Sequence, residues 1–355
     1  MKSIAIVSED LAQPLDEGFK KASAALALSM ASLGIEVSVF ARKAHGLPLP
    51  ARALPHNKLL LGSGFARELK QADPEVILYI PEAAATPMSL VRARLIKRQS
   101  GGKPVAVLSL QRREYGSATP LVRLLAPDFL LVLSEHSLAT ALAAGLRAEI
   151  VPLGVDVSAF RPARPDERKA LRAKYGVGDA KVILHVGHIS RSRNLGLLKQ
   201  ILAPGRQMVI VSSTSTRRSP EVRRAFEGSN VVFIDKFVDA IDEIYRLADC
   251  YVFPTFSAAG AIEIPLSVLE AMATNLPVVT TAFGGLPWLF KDVQDLERQG
   301  LFFARSELEF LEKLEPALAR ADVTTRRLVE AYSWQRAAKW IVETIDRNLR
   351  AQPTA

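Results

Sequence analysis

Two glutamates, Glu263 and Glu270, flank the start of a predicted helix in the stretch 251–290, YVFPTFSAAGAIEIPLSVLEAMATNLPVVTTAFGGLPWLF. Carboxylates accept hydrogen bonds from vicinal hydroxyls. Between the two acids, the unpaired N–H groups of the first helical turn (Leu266, Ser267 and Val268) and the positive end of the helix dipole suit an anion. Acceptors for hydroxyls beside an anion site fit a polyol joined to a phosphate. The plainer alternative is a core βαβ unit whose Glu270 is merely exposed, as charged residues on helices usually are.

The surrounding elements place this helix start. Tyr251, Val252 and Phe253 end a β-rich apolar run that Pro254 stops. The segment from Phe256 to Ile264 reads as a loop, and Pro265 as the first position of a helix over 266–274. Asn275 and Pro277 end that helix. Val278–Thr280 is the next strand, and Gly284-Gly285 a turn. The helix therefore begins just past the carboxyl end of a strand, where open α/β sheets bind ligands.

The same alternation runs through the chain. Apolar strands are predicted at 4–8, 35–40, 76–80, 105–110, 129–134, 182–186, 208–212 and 231–234. Helices are predicted at 19–33, 87–99 and 137–144, over FVDAIDEIYRLADC, and over a closing amphipathic segment at about 334–350. SSTSTRRSPE after residue 211 is a loop. This pattern predicts parallel sheets covered by helices, and 355 residues suit two domains. GSGFAR at 62–67 imitates a dinucleotide fingerprint but has Arg67 in place of the third glycine, so it reads as a turn and helix start. Gly18, at a loop–helix junction, either lets backbone approach a ligand or simply starts the helix. Lys20 and Lys21 oppose the dipole of that helix, which hints that an anion uses them.

EIPLSVLEAMATNLPVV followed by FGGLP resembles the signature of glycosyltransferase family 4, the retaining enzymes of GT-B fold. EIVPLGVDVSAFRP at 149–162 resembles that family's interdomain segment. The resemblance covers nearly the whole chain and is strongest over 149–290. It implies two Rossmann-like domains facing each other across a cleft. Residues 1–157, joined by the helix at about 334–350, would form the acceptor side, and residues 158–333 the donor side. By the same resemblance Glu270 would hold the nucleotide ribose. Glu263 would contact the donor sugar, although Ile262 occupies the family's usual position for that acid. In GHISRSR, His188 stands where the family has Arg and Arg193 where it has Lys, so both would grip the donor diphosphate after Gly187. Arg193 is a sound substitute, since guanidinium binds phosphate oxygens bidentately. Gly18 would belong to a glycine loop facing the cleft. Gln111 stands at the family's His position beside the transferred sugar, followed by Arg112. A glutamine there hydrogen-bonds a hydroxyl but exchanges no proton near pH 7.

The activity so implied is retaining transfer of a sugar from a nucleotide-diphosphate sugar to an acceptor hydroxyl on a glycan, a lipid-linked carrier or a small molecule. Arg193 and Glu263 would be its catalytic residues. The nucleotide sugar is a co-substrate, and neither a cofactor nor a metal is expected. The departures at 111, 188 and 262 keep two alternatives open: a non-catalytic GT-B sugar-binding protein, or a GT-B sugar-nucleotide epimerase or phosphorylase.

Composition bounds the rest. Hydrophobic residues make up 49% and charged ones 23%, as in an ordinary globular protein. The net charge of +9 is spread over both halves, without the aromatic strands or recognition helix of a nucleic-acid binder, so no nucleic acid is expected. A solvated surface or a cleft for anions accounts for it. Cys250 is the single cysteine, in keeping with a reducing cytoplasm. The opening MKSIAIVSED reads as a strand rather than a signal peptide, and no apolar run is long enough to span a bilayer. Arg92, Arg94, Lys97 and Arg98, with Arg112 and Arg113, suggest peripheral attachment to an anionic membrane. The five histidines have no metal-ligand spacing.

Overall fold

The computed structural model describes residues 1–44, 46, 51–53, 57, 59–82, 84–212 and 220–350. Contacts divide the chain into two compact units. The first comprises Met1–Gly154, Ile262–Ile264 and the C-terminal segment from Trp334, and the second Val155–Ala261 and Pro265–Ser333. The division falls just ahead of the boundary read at 157. The short insert at 262–264, expected in the donor domain, belongs instead to the first unit.

Among the described residues the first unit holds a seven-stranded parallel sheet: β1 (Ser3–Asp10), β2 (Glu36–Lys43), β3 (Ala51–Ala53), β4 (Val76–Ile80), β5 (Val105–Leu108), β6 (Phe129–Val132) and β7 (Ala148–Ile150). Their order is β3-β2-β1-β4-β5-β6-β7. The second unit has six parallel strands: β8 (Lys181–Gly187), β9 (Arg206–Ser212), β10 (Val231–Ile234), β11 (Cys250–Phe253), β12 (Val278–Thr281) and β13 (Leu301–Ala304). Their order is β10-β9-β8-β11-β12-β13. In each sheet the order reverses at the first strand. Connections leave that strand to both sides and open a crevice at its carboxyl end, between β1 and β4 and between β8 and β11.

The central strands read as continuous apolar runs because helices cover both faces. Ile4–Val7, Val76–Ile80 and Val182–Leu184 are fully buried. Each unit has its own core, one around Phe40, Phe65 and Tyr79, the other around Ile210, Phe302 and Phe310. Helix Trp334–Arg350 buries Ala337, Ala338, Ile341, Thr344 and Ile345 at three- and four-residue spacing and lies against helix Gly18–Ser32 within the first unit.

Several elements differ from expectation. Pro265 precedes its helix, with φ −65° and ψ 112°, instead of occupying the first helical position. The helix expected over FVDAIDEIYRLADC covers only Ile241–Leu247. Edge strands β3 and β7, ARA and AEI, are too short and too polar to show as apolar runs. Most of the loop SSTSTRRSPE lies outside the described residues.

Candidate functional site

In the second unit, β8 delivers the chain to Gly187, and a short 3-10 turn at Arg191–Arg193 follows. Asn194 ends it in the left-handed region at φ 52°, a conformation asparagine tolerates. The side chain of Arg193 packs over the ring of Phe253, at the end of β11, with 5.4 Å from guanidinium carbon to ring centroid. Its Nη1 lies 3.1 Å from where a Cβ on Gly187 would be, so glycine makes room for it. Arg193 is 8% exposed, its Nε has no hydrogen-bond partner, and among the described residues no carboxylate pairs with it. Arg246, 9% exposed in the same unit, is held by both Glu167 and Asp242. Burial draws the pKa of Arg193 down to about 10, which still leaves it charged near neutrality. Buried charges are ordinarily paired, so a guanidinium at a sheet crevice without a carboxylate among the described residues has the chemistry to take an anion.

Its neighbours are neutral. Tyr251 is kept protonated by burial, reaches the carbonyl of Val186 at 3.4 Å, and meets the side chain of Ser267. Ser267 is in the first turn of helix Leu266–Ala273. No side chain caps that helix, and Pro265 has no N–H to offer. The N–H of Val268 bonds to the Pro265 carbonyl at 3.0 Å, so of the three N–H groups expected to face an anion, only those of Leu266 and Ser267 have no acceptor among the described residues. Glu270, one helical turn further on, is 5% exposed rather than solvated. It accepts a 2.7 Å hydrogen bond from Tyr245, whose ring stacks on Tyr251 at 5.9 Å. Gly187, Arg193, Tyr251, Ser267 and Glu270 thus form one linked group. His188 is half-buried on the same loop, while Arg191 turns outward to Glu221.

Glu263 is placed differently from the expectation. It is 2% exposed and belongs to the first unit. Its N–H bonds to the Leu110 carbonyl at 2.8 Å. Its carboxylate accepts from Ser134 and, at 2.7 Å, from Ser137, at the start of helix Glu135–Ala143. Arg112 approaches to 3.8 Å, and Gln111 is half-buried on the same loop. Of the two acids that flank the helix start, Glu263 is held by partners in the first unit and Glu270 by one in the second. Gly18 has a packing reason: a Cβ there would meet the side chain of Ile262 at 2.8 Å. Lys20 is occupied too, donating to the Ala12 carbonyl at 3.1 Å and lying 3.7 Å from Asp10.

The sequence reading missed two groups. At the β1–β4 crevice, Glu9 accepts from Tyr79, from Arg92 at 2.6 Å and from the Glu82 N–H at 2.7 Å. At the β8–β11 crevice lies His185, fully buried in mid-strand. A histidine inside the apolar run KVILHVG was the available signal. Among the described residues no group of three or more His, Cys, Asp or Glu is arranged to hold a metal ion, and no helix is long and apolar enough to cross a membrane.

Residues 180–320 match the family model described as "Glycosyl transferases group 1". Among curated proteins, the chain is 27% identical over 193 residues to sulfoquinovosyl transferase SQD2 of Arabidopsis thaliana, covering 52% of this chain and 37% of that protein. It is 30% identical over 219 residues to D-inositol 3-phosphate glycosyltransferase of Geodermatophilus obscurus, covering 55% of this chain and 46% of that one. The chain thus spans less than half the length of either relative. Among solved structures, sucrose-phosphate synthase from Thermosynechococcus elongatus superposes with TM-score 0.77 at 18% identity, covering 99% of this chain and 100% of that one. The Anabaena protein HepE in complex with UDP-glucose gives 0.75 at 15%, covering 98% and 100%. The fold is GT-B, and the match to the group 1 glycosyl transferase model falls within the second unit but for the insert at 262–264.

Proposed function

We propose that this GT-B chain, with its group 1 glycosyl transferase domain, is a retaining enzyme of family 4 that moves a sugar from a nucleotide-diphosphate sugar to an acceptor hydroxyl. The observation that carries the reading is the buried guanidinium of Arg193 at the β8–β11 crevice, which no carboxylate among the described residues pairs with. The donor diphosphate is the partner this charge lacks. The N–H groups of Leu266 and Ser267 would add hydrogen bonds to it, and Glu270 would accept from the ribose hydroxyls. His188 would be an auxiliary group on the same loop.

As the glycosidic bond breaks, negative charge grows on the leaving diphosphate, and a fixed cation favours that state over the bound donor. The diphosphate then takes the acceptor proton, and the new bond forms on the face it leaves. This differs from a retaining glycosidase, which flanks the bond with two carboxylates. Arg193 and the helix start would supply the charge in place of a metal, so activity should survive a chelator. Glu263, held by Ser134 and Ser137, orders the loop of Gln111 and Arg112 in the first unit, where a carbohydrate or lipid-linked acceptor would bind. HepE, whose structure holds UDP-glucose, supports a nucleotide-sugar donor by analogy of fold.

Arg92 and Lys97 are taken up by Glu9 and Asp128, which leaves the exposed Arg94, Arg98 and Arg113 as the groups for peripheral contact with an anionic leaflet of the cytoplasmic membrane. A thermal-shift screen of nucleotide sugars, followed by product analysis, tests the main reading. A donor that raises the melting temperature and yields a glycosylated acceptor with retained anomeric configuration supports it. Binding without nucleotide release would favour the non-catalytic alternative, and an isomerised nucleotide sugar or a requirement for free phosphate the epimerase or phosphorylase.

A further inference from the structure

Tyr245 lies on the short helix Ile241–Leu247 and is fully buried. Its hydroxyl donates a 2.7 Å hydrogen bond to Oε2 of Glu270. Burial, with Glu270 alongside, pushes its pKa well above the usual tyrosine value, so the hydroxyl keeps the proton it donates. The ring is held on two sides. Phe160 meets it edge-on at 5.3 Å and 87°, and Tyr251 stacks on it at 5.9 Å and 27°. The segment that carries Phe160 is tied to the helix that carries Glu270. Arg326 donates to the Phe160 carbonyl at 2.8 Å and to the Ala273 carbonyl, at the end of helix Leu266–Ala273, at 2.6 Å. The donor hydroxyl, the seat of its ring and the acceptor therefore share one frame, all within the second unit.

We propose that Tyr245 is the positioning residue for Glu270, holding one carboxylate oxygen so that the group is set to accept from the ribose hydroxyls of the donor nucleotide. The inference rests on the reading of Glu270 as the ribose acceptor. A carboxylate is planar, so a bond fixed on one oxygen sets the direction of the other. A lysine or arginine in place of Tyr245 would hold the group as firmly but would neutralise it. A neutral hydroxyl orients it and leaves its charge to strengthen the bonds from the ligand. An acceptor set in advance also spares the ligand the entropy of ordering a loose side chain.

Titration calorimetry of the full chain tests this with two probes: inorganic pyrophosphate, which has no ribose, and whichever of UDP, GDP and ADP the wild type binds most tightly. Tyr245→Phe keeps the ring and removes the hydroxyl. It should weaken nucleoside diphosphate binding about tenfold, the scale of one hydrogen bond to a charged group, and leave pyrophosphate binding unchanged. On a Glu270→Gln background the same substitution should cost nothing further, because a positioning residue acts only through the group it positions. Should Tyr245→Phe not fold, Phe160→Leu serves in the same cycle, since it unseats the ring but leaves the hydroxyl; its loss should be smaller and equally confined to the nucleoside diphosphate. An equal loss for both probes would mark a merely structural role and overturn the inference. Wild-type nucleoside diphosphate affinity in Tyr245→Phe, with affinity lost in Glu270→Gln, would overturn this inference alone. Wild-type affinity in Glu270→Gln, or no nucleoside diphosphate binding by the wild type, would overturn the ribose reading with it.

Discussion

The chain builds the same strand order twice, with the same reversal at the first strand, yet the two crevices are finished differently. At the β1–β4 crevice the polar groups satisfy one another. Glu9 takes hydrogen bonds from Tyr79, Arg92 and the Glu82 N–H, Lys20 reaches Ala12 and Asp10, and Ser8 donates to the Ile80 carbonyl at 2.9 Å. At the β8–β11 crevice, Arg193 Nε, His185 Nε2 and, just past β11, Thr255 Oγ1 are buried without partners among the described residues. The fold rule nominates both crevices equally. Unmet hydrogen-bonding capacity separates them, because a buried polar group without a partner is costly unless a ligand or water supplies one. The first crevice spends its polar groups on structure, and the second leaves several of them unmet, as the proposed diphosphate site requires.

The comparison can be broken at either crevice. Glu9→Ala should show the largest effect, a loss of about 3–5 kcal/mol in stability, because it strands a buried tyrosine hydroxyl and removes the buried carboxylate that pairs with Arg92. It should leave pyrophosphate affinity unchanged, and urea unfolding with calorimetry on one sample checks both. Arg193→Ala should do the reverse, lowering turnover about a hundredfold or more, the scale of losing one preorganised donor, while the fold survives. Arg193→Lys should keep much of the activity. Full turnover in a folded Arg193→Ala protein would remove the site from this crevice.

A smaller effect concerns the buried ring of His185 at the second crevice. Its pKa falls from the usual 6.5 to about 3 on folding, chiefly through burial. The unfolded chain therefore binds the extra proton between those values, and stability falls as the pH does. The contribution of the neutral ring is complete above about pH 6.5 and is lost on the way to pH 3. Between pH 7.5 and 5 the wild type should lose about 2 kcal/mol more than His185→Phe. Parallel urea midpoints in the two proteins would contradict this.

Much of the architecture was legible because parallel strands buried on both faces are apolar runs that periodicity finds directly. The strands missed were mainly edge strands, where ARA and AEI owe their pairing to a neighbour rather than to their own composition. The site divided along the same line. The places of Arg193 after β8 and of Glu270 on the helix after β11 were readable from motif spacing, since each is fixed by the element that carries it. Glu263 was not, because its partners Ser134 and Ser137 are more than a hundred residues away, and no local pattern shows that residues 262–264 fold into the first unit. Gly18 and Lys20 were read toward a ligand, but their contacts with Ile262, Asp10 and Ala12 appear only when the chain is folded. His185 was visible as one polar residue in an apolar strand, but its unpartnered nitrogen and its place beside Gly187 are tertiary facts.

The central claim, that the second crevice holds a cation awaiting an anion, is tested most directly by Arg193→Met. Replacing an uncompensated buried charge with a side chain of similar length relieves a desolvation cost. The ligand-free variant should therefore melt at a higher temperature than the wild type. It should also lose the melting-temperature rise that saturating pyrophosphate or nucleoside diphosphate produces in the wild type, about 2.7 kcal/mol at a hundred times the dissociation constant. A variant that melts lower without ligand and is still stabilised by the diphosphate as strongly as the wild type would contradict the account.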